Sequence, residues 1–170
     1  MKCPNCGREM RSKVRDYEYN ECGLKGVVLG NITVHECPRC GEVLPEIPKV
    51  KQIHKWLAEY LVKKQSPLTG EEFRFLRKTM LMSAGELARV LAVTPVTISR
   101  WENNRENVGP QSDRLLRALF VVGPERRTPV LRRINLSEIF VHIASRKPRP
   151  ERIFVPPLDD PSHEKEERAE

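Results

Sequence analysis

A chain of 170 residues with 31% charged and 39% hydrophobic side chains has room for one ordinary domain or two small ones. No apolar run approaches the roughly 20 residues needed to span a bilayer, and the N-terminus, MKCPNCGREM, lacks the apolar core of a signal peptide, so a cytoplasmic chain with no membrane partner is expected. The formal charge of +7 and pI near 9.3 suit a polyanionic partner without identifying one; the excess sits in residues 1–66 and 127–157, whereas residues 158–170 are acidic.

The first element is one pattern written twice, Cys3-Pro4-Asn5-Cys6-Gly7 and Cys37-Pro38-Arg39-Cys40-Gly41. A C-x-x-C-G turn lets two thiolates approach one metal while backbone N–H groups point at the sulfurs, and Gly permits the positive φ this requires. Two such knuckles supply Cys3, Cys6, Cys37 and Cys40, a full tetrahedral shell for one structural Zn²⁺ per chain. A redox dithiol would need one pair at a helix start in a βαβ context, which is missing here. Val27-Val28-Leu29 and Ile32-Thr33-Val34, broken by Gly30-Asn31, read as a hairpin that carries the second knuckle back to the first, a zinc-ribbon-like module over residues 1–48. Cys22 is read as a free thiol, and His35 as no ligand, since a fifth would exceed the closed shell. Four thiolates leave no open position for water or substrate, so the ribbon is a rigid docking surface and not a catalytic centre.

Pro45 and Pro48 end the ribbon in this reading. A linker helix follows within 49–66, with Val50, Ile53, Leu57 and Leu61 on one stripe and Trp56 and Tyr60 beside it. Three roles are open to it: covering the next domain, pairing with its copy in a dimer, or bridging the modules. His54 on this helix is read as a surface or packing residue.

Residues 67–123 form the next unit. Thr69 stands three residues before Glu72 and Ser83 three before Glu86, two capping boxes that satisfy free N–H groups of a first helical turn. Thr94 precedes Pro95, tolerated at a first helical position. Only Leu91-Ala92-Val93 separates the last two helices, and so short a connection forces them to cross steeply. Leu87, Ala88 and Leu91 make the inner face of the second helix; Ile98 and Trp101 make that of the third. The third helix's other face, with Val96, Thr97, Ser99, Arg100 and Asn103 after the cap Thr94, is suited to a major groove, where Arg reads guanine and Asn reads adenine. Its partner would be double-stranded operator DNA. TISRWENN preceded by SAGELARVLAVTP resembles the Xre/Cro-type repressor helix-turn-helix. Such domains usually carry Gln at Ala84, so readout falls on the third helix, and Gly at Ala92, where the exchange is expected to cost little.

Ser112 to Val122, with Leu115, Leu116, Leu119 and Phe120, adds a helix that completes the bundle core, ended by Gly123-Pro124. In the extension over 124–145, Leu136, Ile139, Phe140 and Ile143 have helical spacing and suggest a packing or dimerisation helix. Residues 146–170 turn Pro-rich and then charged and read as a disordered tail. No catalytic set emerges: the histidines are scattered, no Gly-rich phosphate loop follows a strand, and no carboxylate pair is placed for acid–base work. The fold class is therefore α+β, a small zinc-ribbon-like β module followed by an all-α helix-turn-helix bundle, and the protein is not expected to be an enzyme.

The order CPxCG, hairpin, CxxCGE, linker and repressor domain resembles the MqsA-like (YgiT-type zinc finger) antitoxins of bacteria over about residues 1–121. That resemblance implies a zinc module that neutralises a small ribonuclease toxin from the adjacent gene, and a repressor domain that dimerises and represses its own operon. By resemblance the zinc ligands fall on Cys3, Cys6, Cys37 and Cys40 and a DNA-contact Arg on Arg100, while the family's neighbouring Asn contact falls on Val96. The alternative is a stand-alone DNA-binding regulator whose ribbon has no toxin partner.

Overall fold

The computed structural model describes residues 1–123, 137 and 147–157. Among the described residues a small sheet and a group of helices make an α+β architecture. Strand β2 (Val27–Glu36) organises the sheet. β1 (Arg11–Glu18) runs antiparallel along one edge of β2. On the other edge, β3 (Val43–Glu46) pairs antiparallel with Thr33 to Glu36, and β4 (Ile153–Val155) pairs parallel with Val27 to Leu29.

The expected hairpin at Gly30-Asn31 is not there. β2 runs straight through these residues, and the register with β1 slips between Arg15 and Tyr17. Asn31 takes a φ of 53° and its N–H donates to the Asp16 carboxylate at 3.3 Å. Asn tolerates the left-handed region better than most residues, so this pair of turn-formers builds a bulge inside a strand. The chain reverses earlier, through a 3₁₀ turn at Asn20–Cys22 with Gly23 at φ 80° and Gly26 at φ 76°. Pro45 likewise does not end the ribbon. It sits within β3, opposite Val34, at the sheet's margin, where a missing N–H breaks no ladder bond.

The helices follow their sequence signals closely: α1 (Val50–Lys63), α2 (Gly70–Thr79), α3 (Ala84–Val90), α4 (Pro95–Glu102) and α5 (Pro110–Val122). Both capping boxes are closed: Thr69 accepts from the Glu72 N–H and Ser83 from the Glu86 N–H, and each Glu carboxylate accepts from its cap's N–H. Thr94 caps α4 by accepting from the Thr97 N–H, with Pro95 in the first turn. Leu87, Ala88, Leu91, Ile98 and Trp101 are all buried. Ala92 is held at φ 53° between α3 and α4, which corrects the small cost expected for it. An L side chain in that region costs about 1–2 kcal/mol, partly offset by Ala's lower unfolded-state entropy. Ala92→Gly is therefore expected to stabilise the chain by about 1 kcal/mol. Urea unfolding measures this, and a loss of stability in the variant would refute the strain argument.

The sheet and the helices share one core. Val27, Leu29, Ile32 and Val34 from β2 pack in the same cluster as Ile53, Leu57 and Leu61 of α1, which in turn joins Phe73, Leu76, Leu87, Ile98 and Leu116 of the bundle. Of the three roles open to α1, the one observed is that of cover between sheet and bundle. The entry to the bundle also carries buried charge. Arg117 is fully buried, donates to Asp113 at 2.6 Å, and reaches the carbonyls of Leu61, Val62, Lys64 and Ser66. Lys64 donates to Glu72 at 2.7 Å. The junction near Ser66 is thus heavily bonded.

The expected disordered tail is corrected at its start. Ile153 and Val155 are buried in the main core, because alternate apolar residues on a strand can share one inward face. Apart from residue 137, the helix expected at Ile134 to Ile143 lies outside the described residues, as does the acidic end, 158–170.

Candidate metal centre and nucleic-acid interface

Each Cys knuckle builds itself from local bonds. Gly7 N–H donates to Cys3 O at 2.9 Å and Gly41 N–H to Cys37 O at 3.0 Å; Cys3 N–H donates to Arg8 O and Cys37 N–H to Glu42 O. Gly7 and Gly41 take φ values of 72° and 74°, so the two turns match. An isolated bridge between Lys2 and Glu9 closes the first, and β3 carries the second.

Together they bring four sulfurs within 4.8 Å of one another, with Cys3 and Cys40 at 3.5 Å and Cys6 and Cys37 at 3.4 Å. Zn–S bonds of about 2.3 Å in a tetrahedron require sulfur separations near 3.8 Å, so a small adjustment accommodates one ion. The environment already favours thiolate at one ligand: the backbone N–H of Cys40, then that of Arg39, draws the Cys37 thiol down to about 6. At Cys6 the Arg8 N–H pulls down, but the Cys37 sulfur and burial outweigh it and push the thiol up to about 12. The two sulfurs lie 3.4 Å apart, and both would serve as thiolate ligands to a bound ion. The donor set fits one structural zinc, and four thiolates close the shell.

Among the described residues, the cysteine and histidines outside the cluster have other partners. Cys22 is a free thiol whose S–H donates to Tyr19 O at 3.1 Å. His35 is buried, with Ser12 Oγ at 2.8 Å on Nδ1 and Glu46 at 2.6 Å on Nε2. His54 stacks on Tyr19, with its Nε2 2.9 Å from the Tyr19 hydroxyl.

The second site is the outer face of α4. Val96 is 59% exposed, and Ser99 and Arg100 are exposed beside it. Arg100 pairs with Glu106 at 3.0 Å, but both side chains are about half exposed, so the pair holds Arg100 only weakly. Two candidates serve the helix ends. Thr94 is the cap and lies 2.9 Å from the half-buried Thr97 hydroxyl. Asn103 donates to Ser99 O at 2.7 Å and accepts from Arg74 at 2.9 Å, which ties it down at the C-terminus.

Sequence reading missed what fixes α4 in place. Glu102 is buried and accepts from Arg77 at 2.6 Å and from Arg74 at 3.2 Å, joining α4 to α2, while Arg77 also donates to Met82 O. Asn104 accepts from the Gly70 N–H at 2.9 Å, and a Cβ on Gly70 would lie 2.1 Å from Trp101 O. No local pattern announces partners some 25 to 34 residues apart.

No helix among the described residues is long and apolar enough to cross a membrane. A family model described as the antitoxin component of a bacterial toxin–antitoxin system, MqsA, matches residues 1–125. No curated protein matches the chain.

Proposed function

The chain belongs to the MqsA antitoxin family, and from that membership we propose that it is an antitoxin that also represses transcription, its zinc sheet docking a ribonuclease toxin and its helical bundle reading operator DNA as a homodimer. The family is one of antitoxins, not of enzymes. The observation that carries the DNA half is α4 itself. Its inner residues Ile98 and Trp101 are buried, and a buried Arg77–Glu102 pair locks the helix to α2. That leaves Val96, Ser99 and Arg100 outward on a rigid support, the condition for a helix to read base edges in a major groove. Arg100 is the reader for guanine, and Val96 offers only apolar contact, as to a thymine methyl.

For the toxin half, support comes from family membership and from the sheet. A closed thiolate shell makes the knuckles scaffolding, and β1 is exposed along nearly its whole length, presenting Arg11 to Asp16 on a metal-stapled base. Two copies on a palindrome would place their α4 helices in successive major grooves about 34 Å apart.

Arg100→Ala is expected to weaken operator binding by about 1–3 kcal/mol and to relax base preference at one position in each half-site. Titration of upstream DNA by wild type and variant measures both; unchanged binding would show that α4 is not the reader. The full chain should also neutralise the product of the neighbouring gene on co-expression. If it represses its operon but neither binds nor neutralises that product, the stand-alone regulator is the correct reading.

A further inference from the structure

Residues 149–155 lie beyond the stretch matched by the family model, yet the sheet is shaped to receive them. β4 pairs in parallel through Val27 with Ile153, Val28 with Phe154 and Leu29 with Val155, and the Ile153 N–H donates to Gly26 O at 2.9 Å. Ile153 and Val155 point into the core, and Phe154 lies on the other face against Gly30. A Cβ on Gly30 would come within 2.7 Å of the Phe154 ring. Gly30 has no positive φ to explain its lack of a side chain; the space it leaves is filled by the aromatic ring.

A polar clasp holds the other end. The Glu151 carboxylate accepts from Ser66 Oγ at 2.6 Å and from the Tyr60 hydroxyl at 3.2 Å. Lys64, whose side chain is only 1% exposed, donates to Arg149 O at 3.0 Å and lies 3.7 Å from Glu151. Prolines at 148, 150, 156 and 157 flank the strand. They lack the N–H that a longer ladder would need, so the pairing is short and bounded, as in a peptide ligand.

We propose that the β2 edge from Gly26 to Gly30, with the Tyr60–Lys64–Ser66 clasp, is a strand-binding site, and that residues 149–155 are its tethered, reversibly docking ligand. The ligand class is an extended peptide with a carboxylate two residues before an apolar–aromatic–apolar triplet. Backbone pairing supplies affinity, and the Gly30 recess and the clasp supply selectivity. A tether gives the segment a high effective concentration, so modest intrinsic affinity keeps it docked. Docked, it bridges the zinc sheet to the entrance of the bundle, where Lys64 also pairs with Glu72 of the first capping box. Undocked, it frees the edge of β2 for another strand and removes Lys64's link to the sheet. This inference does not depend on the toxin or operator reading.

The test uses the full chain carrying Ile153→Asp and Val155→Asp, so that its own segment cannot dock, and a labelled synthetic peptide of residues 147–157. The peptide is expected to bind this variant, to bind wild type at least about ten-fold more weakly because the tethered strand occupies the site, and to lose about ten-fold or more when Gly30→Val is added. A folded, zinc-loaded double variant that binds no peptide would overturn the proposal. Should the double variant fail to fold, the wild-type chain with a specific protease site inserted after Gly123 decides. Once cut, a segment that stays bound and is displaced by excess labelled peptide supports the latch. A cut chain that unfolds, or whose segment never exchanges, shows an integral core strand instead.

Discussion

Arg117→Met will destabilise the chain by about 3–5 kcal/mol, the usual consequence of removing one partner from a buried ion pair. Arg117 and Asp113 have side chains 0% and 1% exposed. Asp113 would retain the Leu68 N–H at 2.7 Å but lose its only counter-charge among the described contacts. The carbonyls of Leu61, Val62, Lys64 and Ser66 would lose their donor together. These are the last carbonyls of α1 and the first of the connection to α2, so the guanidinium works as a C-terminal cap supplied from another helix. Adding Asp113→Asn should recover part of the loss, since the two residues share one interaction and their effects are not additive. Thermal unfolding should fall by roughly 10 °C for the single variant. A shift of only a degree or two would mean that water replaces the guanidinium at little cost.

That clamp was invisible in the sequence, and the reason is general. Signals that act within one or two turns of chain were legible: Thr69 with Glu72, Ser83 with Glu86, Thr94 before Pro95, and the two C-x-x-C-G knuckles all act as their spacing implies. Signals that depend on a distant partner were not. Lys64, Arg77, Glu102 and Arg117 carry no local signal of burial, yet each is buried against a residue or carbonyl contributed by another element. β1 shows no apolar alternation because almost all of it is exposed. β4 is three residues long amid prolines and takes its partner from more than 120 positions earlier. At Gly30-Asn31 the sequence signals unusual backbone without its geometry: positive φ at an Asn marks a turn or a bulge, and only the strand pairing decides between them. On the outer face of α4 the exposed set was legible, whereas the bond from Arg74 that holds Asn103 depended on α2.

Cys37→Ser is expected to remove the zinc and, with it, the order of both knuckles. Elemental analysis should fall from one zinc per chain to essentially none. Structural zinc in small thiolate sites contributes apparent folding free energy of about 10–16 kcal/mol near neutral pH, far more than the local packing can replace. Around the cluster that packing is meagre: among the described residues Met10 is the one other buried apolar side chain in the cluster with Cys3 and Cys37, and Leu44 is partly buried against them. The loss should nevertheless be local. Val27, Leu29, Ile32 and Val34 are anchored on α1 in the main core, so that end of β2 and all five helices have support that owes nothing to metal. Hydrogen exchange separates the two regions. The amides of Cys3, Gly7, residue 37 and Gly41, which close the knuckle turns, should exchange freely in the variant, while those of α1 and α2 keep their protection. A chelator on wild type should reproduce the pattern, and more readily at lower pH, because protons compete with zinc for the same sulfurs. Full knuckle protection in a zinc-free variant would mean that the turns fold by backbone bonding alone and that the four sulfurs are not a structural metal site.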